Sequence, residues 1–388
     1  MAVTIHQLPQ AISPSDNPMV FTFSSDQTAQ DNFSYFVDVY INGTLIKTEQ
    51  VYPTNGIYAR YDISAWCSNY CERPTLTSSL TADAANTCYY QIQVWENYGT
   101  PPSNQAQATS TLQYAYKAGL DNKSFINYDY TDYNMASGSG KLFVTDVPRS
   151  GDNYPTMRRN DSQFYLMAMN NLTNFTLTIR VMPNSGLPIA SYSAAQTTNT
   201  NVFTMINVGI DSIIANITIT QTDIDAGDYL LVLVSGVTES FRIYFDDSCE
   251  FPRAKRVHFL SQLGGVDAFS FNLISRHNAK ISSNEYKRLF GEWNGSSFEF
   301  NNTRSTTVDF AKTVVPMLTC ESDWLNEDVQ HWLTKNLYTS LYVAVEEDDE
   351  LRELKIKADS YDWKYNDNDM LFNERIKLIE PEYKTMVL

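Results

Sequence analysis

A chain of 388 residues is too long for one ordinary β domain, so two or three domains are expected. Hydrophobic residues make up 43% of it, enough to fill real cores and to exclude wholesale disorder; 25 Tyr and 20 Phe favour half-buried strands. A formal charge of −17 repels phosphate backbones, which excludes general nucleic-acid binding and with it stable sequence-specific binding.

In chain order, Pro14 to Pro18 reads as an extended lead-in and Met19 to Phe23 as a short strand. Phe33, Tyr35, Val37, Val39 and Ile41 alternate onto one face, Asn42-Gly43 is a hairpin turn signal, and Thr44 to Val51 is the return strand. Ile57 to Ile63, Cys88 to Trp95 and Thr111 to Tyr116 are further strands, so residues 1–118 read as a β-sandwich-like domain. Residues 119–140, with INYDYTDYNMASGSG, carry neither the helical nor the strand period and read as an extended connector. A second sandwich-like domain is expected over 141–250. Its strands are Gln163 to Met169, Phe175 to Met182, Asn201 to Val208, Ile213 to Thr220, Tyr229 to Ser235 and Ser240 to Phe245, with a turn at Asp225 to Asp228.

Residues 251–388 read as a C-terminal β-rich domain with one main helix. His258 to Leu263, Gly264-Gly265 and Asp267 to Leu273 form a strand, tight turn and strand. Trp324, Leu325, Val329, Trp332 and Leu333 fall at helical spacings, which predicts a helix over Cys320 to Leu337, centred on 321–336. Leu337 to Val345, Leu351 to Ala358 and Leu371 to Leu378 are the closing strands. The expected fold class is therefore mainly β: two tandem β-sandwich-like domains followed by a small C-terminal α+β region.

The residues that carry chemistry do not assemble into a recognisable set. His6, His258, His277 and His331 form no paired motif, and His258, in an apolar strand, reads as a hydrogen-bonded structural histidine. Met1 to Gln10 has no apolar core of a secretory signal, and no run reaches the ~18 apolar residues of a membrane span. Cys67, Cys71, Cys88, Cys249 and Cys320 are accordingly expected as thiols of a protein folded in a reducing cytosol. Cys67, Cys71 and Cys88 offer three thiolates to a metal but lack a fourth nearby ligand; buried thiols, or a disulfide formed later under oxidising conditions, are the other readings.

Acid pairs such as Asp246-Asp247 and Asp348-Asp349 would serve glycoside hydrolysis only if they shared a cleft. The run Glu346 to Glu350 reads as a solvated loop or turn, or as a docking surface for a basic partner. Asp129 to Asp132 and Asp362 to Asp369 have oxygen ligands for calcium without EF-hand spacing. Tyr128, Tyr130 and Tyr133 fit a sugar-stacking platform or anchors of the connector. No catalytic, cofactor-binding or metal-binding residue is assigned, and the chain is not read as an enzyme.

Four pieces of sequence, taken in order, resemble a known family. They are SPSDNPMVFTF followed by NFSYFVDVYING; FINYDYTDYN followed by KLFVTDVPR; HFLSQLGGVDAFSF; and ESDWLNEDVQHWLTKNLYTSLYV leading into the closing strands. Together they resemble virion proteins of tailed phages of Bacteroidetes, crAss-like phages included. The resemblance implies a virion structural protein of the tail or head-to-tail connector, a ring or hub subunit assembled in the host cytoplasm. It implies a cyclic homo-oligomer and partners among portal, ring, tail or fibre components, and it carries over no catalytic residues. The alternative is a carbohydrate-binding adhesin or receptor-binding tail protein. A ring or hub is preferred to a fibre because no long repeat or coiled-coil segment is evident.

Overall fold

The computed structural model describes residues 3–54, 56–133, 141, 143–149, 154–169, 174–197, 203–235, 239–246, 254–300, 305–347, 350–357, 371–380 and 384–387. The chain is mainly β, with several sheets and a few short helices.

The first sandwich forms where sequence alternation is cleanest. Ser34–Ile41 and Thr44–Val51 are joined by Asn42 and Gly43, both at positive φ (50° and 77°), the primed turn whose twist matches the strands it joins. They belong to a sheet with Thr87–Tyr98, Gln113–Tyr116 and Ile12–Pro14, with Ser103–Thr109 paired alongside Thr87–Tyr98. A second sheet of Thr4–Gln7, Val20–Ser24 and Tyr58–Asp62 covers it. Phe21, Phe23, Tyr35, Val37, Val39, Tyr90, Ile92 and Val94 fill the space between the two.

The second sandwich has a five-stranded sheet: Thr156–Met157, Ser240–Phe245, Tyr229–Val234, Asn174–Met182 and Ala190–Thr197. Its partner sheet has three strands, Tyr165–Met169, Phe203–Asn207 and Thr81–Asp83, the last contributed by the first 118 residues. Every residue of Tyr165–Met169 and Phe203–Asn207 is buried. Period-2 alternation therefore feeds two different cores. Leu166, Ala168 and Ile206 enter the second sandwich. Tyr165, Met167, Met169, Phe203 and Met205 enter a junction core with Ile12, Tyr116, Tyr128, Val144, Leu260 and Leu263. Asn207, fully buried, accepts from Phe164 N and Gly209 N and donates to Thr77 O and Gln163 Oε1, so its amide is satisfied at the crossing point.

The C-terminal sheet runs Val266–Phe271, Lys255–Leu260, Val343–Glu347, Glu350–Ile356, Arg375–Ile379, Thr307–Glu321 and Ile274–Lys287, with Lys384–Val387 also paired to Thr307–Glu321. The helix Glu327–Leu337 lays Trp332, Leu333 and Leu337 on Val257, Phe259 and Leu318. The Gly264-Gly265 turn closes the Lys255–Leu260/Val266–Phe271 hairpin at the junction. A Cβ on Gly264 (φ +93°) would lie 2.7 Å from Lys117 O, and one on Gly265 would lie 1.9 Å from Val144 O. Both glycines are thus required by close backbone approach as well as by the turn.

Five sequence expectations change. Ile213 to Thr220 is not a strand: Ile210–Asn216 is helical, and a Thr220/Asp223 capping box opens the helix Gln221–Ala226. The isoleucines at 210 and 213 sit three apart on one buried helical face, and the polar and apolar alternation after Ile213-Ile214 runs across the end of one helix and the cap of the next. The main helix begins at Glu327, because Asn326 caps it by accepting from Val329 N, while Cys320 ends a strand. That helix runs to Leu337, so the strand expected from Leu337 begins at Val343. Leu371 to Leu378 divides into Leu371–Phe372 and Arg375–Ile379. The connector holds a helix, Asn122–Ile126, capped by Asp121, and a 3-10 turn at Tyr130–Tyr133, each too short to show a period.

Replacing Gly265 with Ala tests the junction. Overpacking of this kind costs about 1–3 kcal/mol, so the melting temperature of Gly265→Ala should fall by several degrees in scanning fluorimetry. Gly56→Ala, with nothing within 4 Å of the added Cβ, should cost only its backbone strain. Equal melting temperatures for Gly265→Ala and the parent protein would show that the junction is not closed as described.

Candidate functional site

Two surface features stand out, a cleft under the connector and a projecting hairpin. The cleft, about 730 Å³, lies between the connector, the Gln262-Leu263 turn and the main helix. Lys335 spans it, 2.8 Å from Asp121 and 3.9 Å from Asp146, and it also donates to Ser124 Oγ at 3.1 Å. Burial opposes ionisation of Asp121, but the Lys335 ammonium and the Ser124 donors outweigh it and hold its carboxyl well below the usual range. Asn336 donates to Asp146 at 3.1 Å. Behind this rim, buried Asp267 accepts from Thr145 Oγ1 at 2.6 Å. Burial, reinforced by the nearby Asp146 charge, pushes the Asp267 carboxyl up to about 7.

The candidate residues scatter around these features. Tyr128 is buried and Tyr133 stacks on it at 6.2 Å, so both anchor the connector to the junction core and form no open platform. Asp129 accepts from the backbone and side chain of Thr131, as in an ordinary turn. His6 bonds Ser24 Oγ, His277 lies 3.6 Å from Glu380 on the hairpin base, and His331 lines the cleft. His258 is fully buried with Nε2 3.2 Å from Glu346. Burial pushes its pKa down, opposed in part by Glu346, and the ring is hydrogen-bonded in a strand of the core.

Glu346 also accepts from Ser162 N, and Glu347 pairs with Lys255, so the start of the acidic run is a strand locked to the body and not a solvated loop. Buried Arg256 pairs with Asp161 at 2.8 Å beside it. Cys67, Cys71 and Cys88 meet in the first core, with Cys71 and Cys88 sulfurs 3.3 Å apart. The Cys67 contact and burial push the Cys88 thiol up to about 12, and the Cys88 contact and burial push Cys71 up as well, so these two are packed thiols of low reactivity. Among the described residues, no group of three His, Cys, Asp or Glu can hold a metal, and no helix is long and apolar enough to cross a membrane. Asp247, Cys249, Asp348-Asp349 and Asp362 to Asp369 lie outside the described residues.

The hairpin was not anticipated from sequence. Ile274–Lys287 and Thr307–Glu321 pair along their whole length. Arg375–Ile379 pairs with residues 317–321 and Lys384–Val387 with residues 311–314, so the base is a sheet of three or more strands. From Glu285 and Asp309 outward, among the described residues, only two strands remain, and they continue into a tip of Gly291–Trp293 and Phe298–Phe300.

The register puts Trp293 opposite Phe298 and Gly291 opposite Phe300, so the three aromatics share one face, and Phe290 lies 5.1 Å from Phe300. Gly291 makes this possible, since a Cβ there would meet the Phe298 ring at 2.4 Å. Glu292 and Glu299 face each other on the reverse side. Trp293 is 65% exposed, Phe300 71% and Leu289 75%, values far from those of a finished surface. The Asn294-Gly295 turn, with Gly295 at φ +100°, flanked by aromatics at alternate positions, is the sequence signal that marks this tip.

No family model matches the chain, and no curated protein does. Among solved structures, a marsupial T cell receptor is similar over 81% of this chain and 96% of its own, at 8% identity and a TM-score of 0.20, a likeness too low to carry an argument.

The Asp267 carboxyl gives a pH test. Its folded pKa lies above the unfolded value, so its contribution to stability is complete below about pH 4 and lost as pH rises through 7, at about 1.4 kcal/mol per unit. Thermal scans from pH 4.5 to 8.5 should show Asp267→Asn gaining on the parent as pH rises. Parallel curves would mean that Asp267 is ionised without cost.

Proposed function

We propose that this chain is a virion structural subunit, a ring or hub protein of a bacteriophage tail or head-to-tail connector, that acts through protein–protein assembly. The observation that carries the reading is the hairpin arm. A two-stranded ribbon is marginally stable in water, and one that displays Phe290, Trp293, Phe298 and Phe300 adds an uncovered apolar face. Such a segment is accounted for when a neighbouring protein covers it. The body behind it is suited to bear load, since a sheet buried on both faces joins its parts.

The phage setting comes from the ordered sequence resemblance. The glycan-binding alternative drew on Tyr128, Tyr130 and Tyr133 as an open platform, and the burial of Tyr128 removes that support. In this reading the subunit is assembled in the host cytoplasm and resides in the virion, with portal, ring, tail or fibre proteins as neighbours.

Mass photometry of the purified chain, alone and with virion-derived neighbours, tests the reading. A discrete, ring-sized species is expected in at least one condition, and Trp293→Ser/Phe300→Ser should shift it toward monomer. A stable monomer in both conditions would contradict the proposal.

A further inference from the structure

The arm also points to the identity of its partner, an inference that rests on the assembly reading above. Its charge is unlike that of the rest of the chain. Residues 274–321 hold six Lys or Arg against five Asp or Glu, whereas the whole chain holds 28 against 45. The arm therefore carries none of the acid excess, and all of it falls in the rest of the sequence. Exposed Lys280, Lys287 and Arg288 lead up to the aromatic tip. A surface of this kind, apolar at its end and basic along its approach, is complementary to an acidic body.

The docking face also has the area for a contact. Phe290, Trp293, Phe298 and Phe300 present on the order of 500 Å², the larger part of the roughly 800 Å² that one partner buries in a standard interface. The reverse face of the tip, with Glu292 opposite Glu299, is unsuited to the same acidic surface, so docking has one orientation.

We propose that the aromatic face of the arm docks on the acidic body of a second copy of this chain, so that copies join head to tail. A contact between two different patches is heterologous, and it closes into a ring when the rotation between copies allows. Pairing of two arms with each other would bury the same aromatics but would leave the opposite charges of arm and body unused.

The test places p-benzoylphenylalanine at position 293 of the full chain and mixes isotopically light and heavy protein before irradiation. The expected result is light–heavy cross-links from position 293 to peptides outside 274–321. In parallel, Lys287→Glu/Arg288→Glu should weaken self-association by roughly tenfold or more and reduce its salt dependence. Both side chains are exposed, so an unchanged far-ultraviolet circular dichroism spectrum verifies the fold.

Cross-links only within one chain, or only between two arms, would overturn the inference, as would unchanged affinity and salt dependence in the charge-reversal variant. If the chain assembles with virion neighbours but position 293 cross-links only to one of them, the second-copy inference falls and the structural-subunit reading stands. If no assembly occurs in any mixture, both fall.

Discussion

The structure depends on one small sheet being buried on both sides. Tyr165–Met169, Phe203–Asn207 and Thr81–Asp83 form a layer whose alternate residues point into two cores. Most antiparallel sheets spend one face on water. Here the second face packs against Tyr116 and Ile12 of the first sandwich, Tyr128 of the connector and the Leu260–Val266 corner of the C-terminal sheet. Loss of this layer would weaken the joins between three parts of the chain at once, because its second face carries the core in which they meet.

That layer explains several local features that otherwise look incidental. The Gly264-Gly265 turn is bare of side chains because the backbones of residues 117 and 144 come within contact distance of it. Arg256, Asp161 and His258 are buried, with half-buried Glu346 against them, where the Lys255–Leu260 and Val343–Glu347 strands meet the second sandwich. A buried charged cluster of this kind contributes little net stability, but once built it resists rearrangement, because breaking one pair leaves a charge unpaired. The body is thereby packed at its junctions, and the outer arm is its opposite, largely exposed and, among the described residues, joined to further strands at its base. The contrast between a locked body and an unfinished arm is what directs the functional reading toward assembly.

Much of the architecture was legible in the sequence, and the exceptions have physical causes. The Ser34–Ile41 and Thr44–Val51 hairpin announces itself by strict alternation and an Asn-Gly turn, and Ser240–Phe245 by alternation alone. Helices of about two turns, such as Ile210–Asn216, are shorter than the window in which a helical period can be seen. The start of the main helix was misplaced because Leu325 sits at helical spacing from Val329, and Trp324 from Trp332, while both lie before the Asn326 cap. The paired role of Glu346 could not be read from a run of five acids, since only tertiary pairing brings His258 and Ser162 to it. The arm was missed because its outer part has no buried face: without a core to dictate alternation there, Ile274–Lys287 shows no polar and apolar period, and the Asn294-Gly295 turn is the signal that betrays it.

The central claim is that the arm is completed by a neighbour. Hydrogen–deuterium exchange of the isolated chain and of the assembled species measures this directly. Backbone amides of 285–300 should exchange rapidly in the isolated chain and become strongly protected on assembly, while Tyr165–Met169 is protected in both. Equal exchange of 285–300 in the two states would contradict the account.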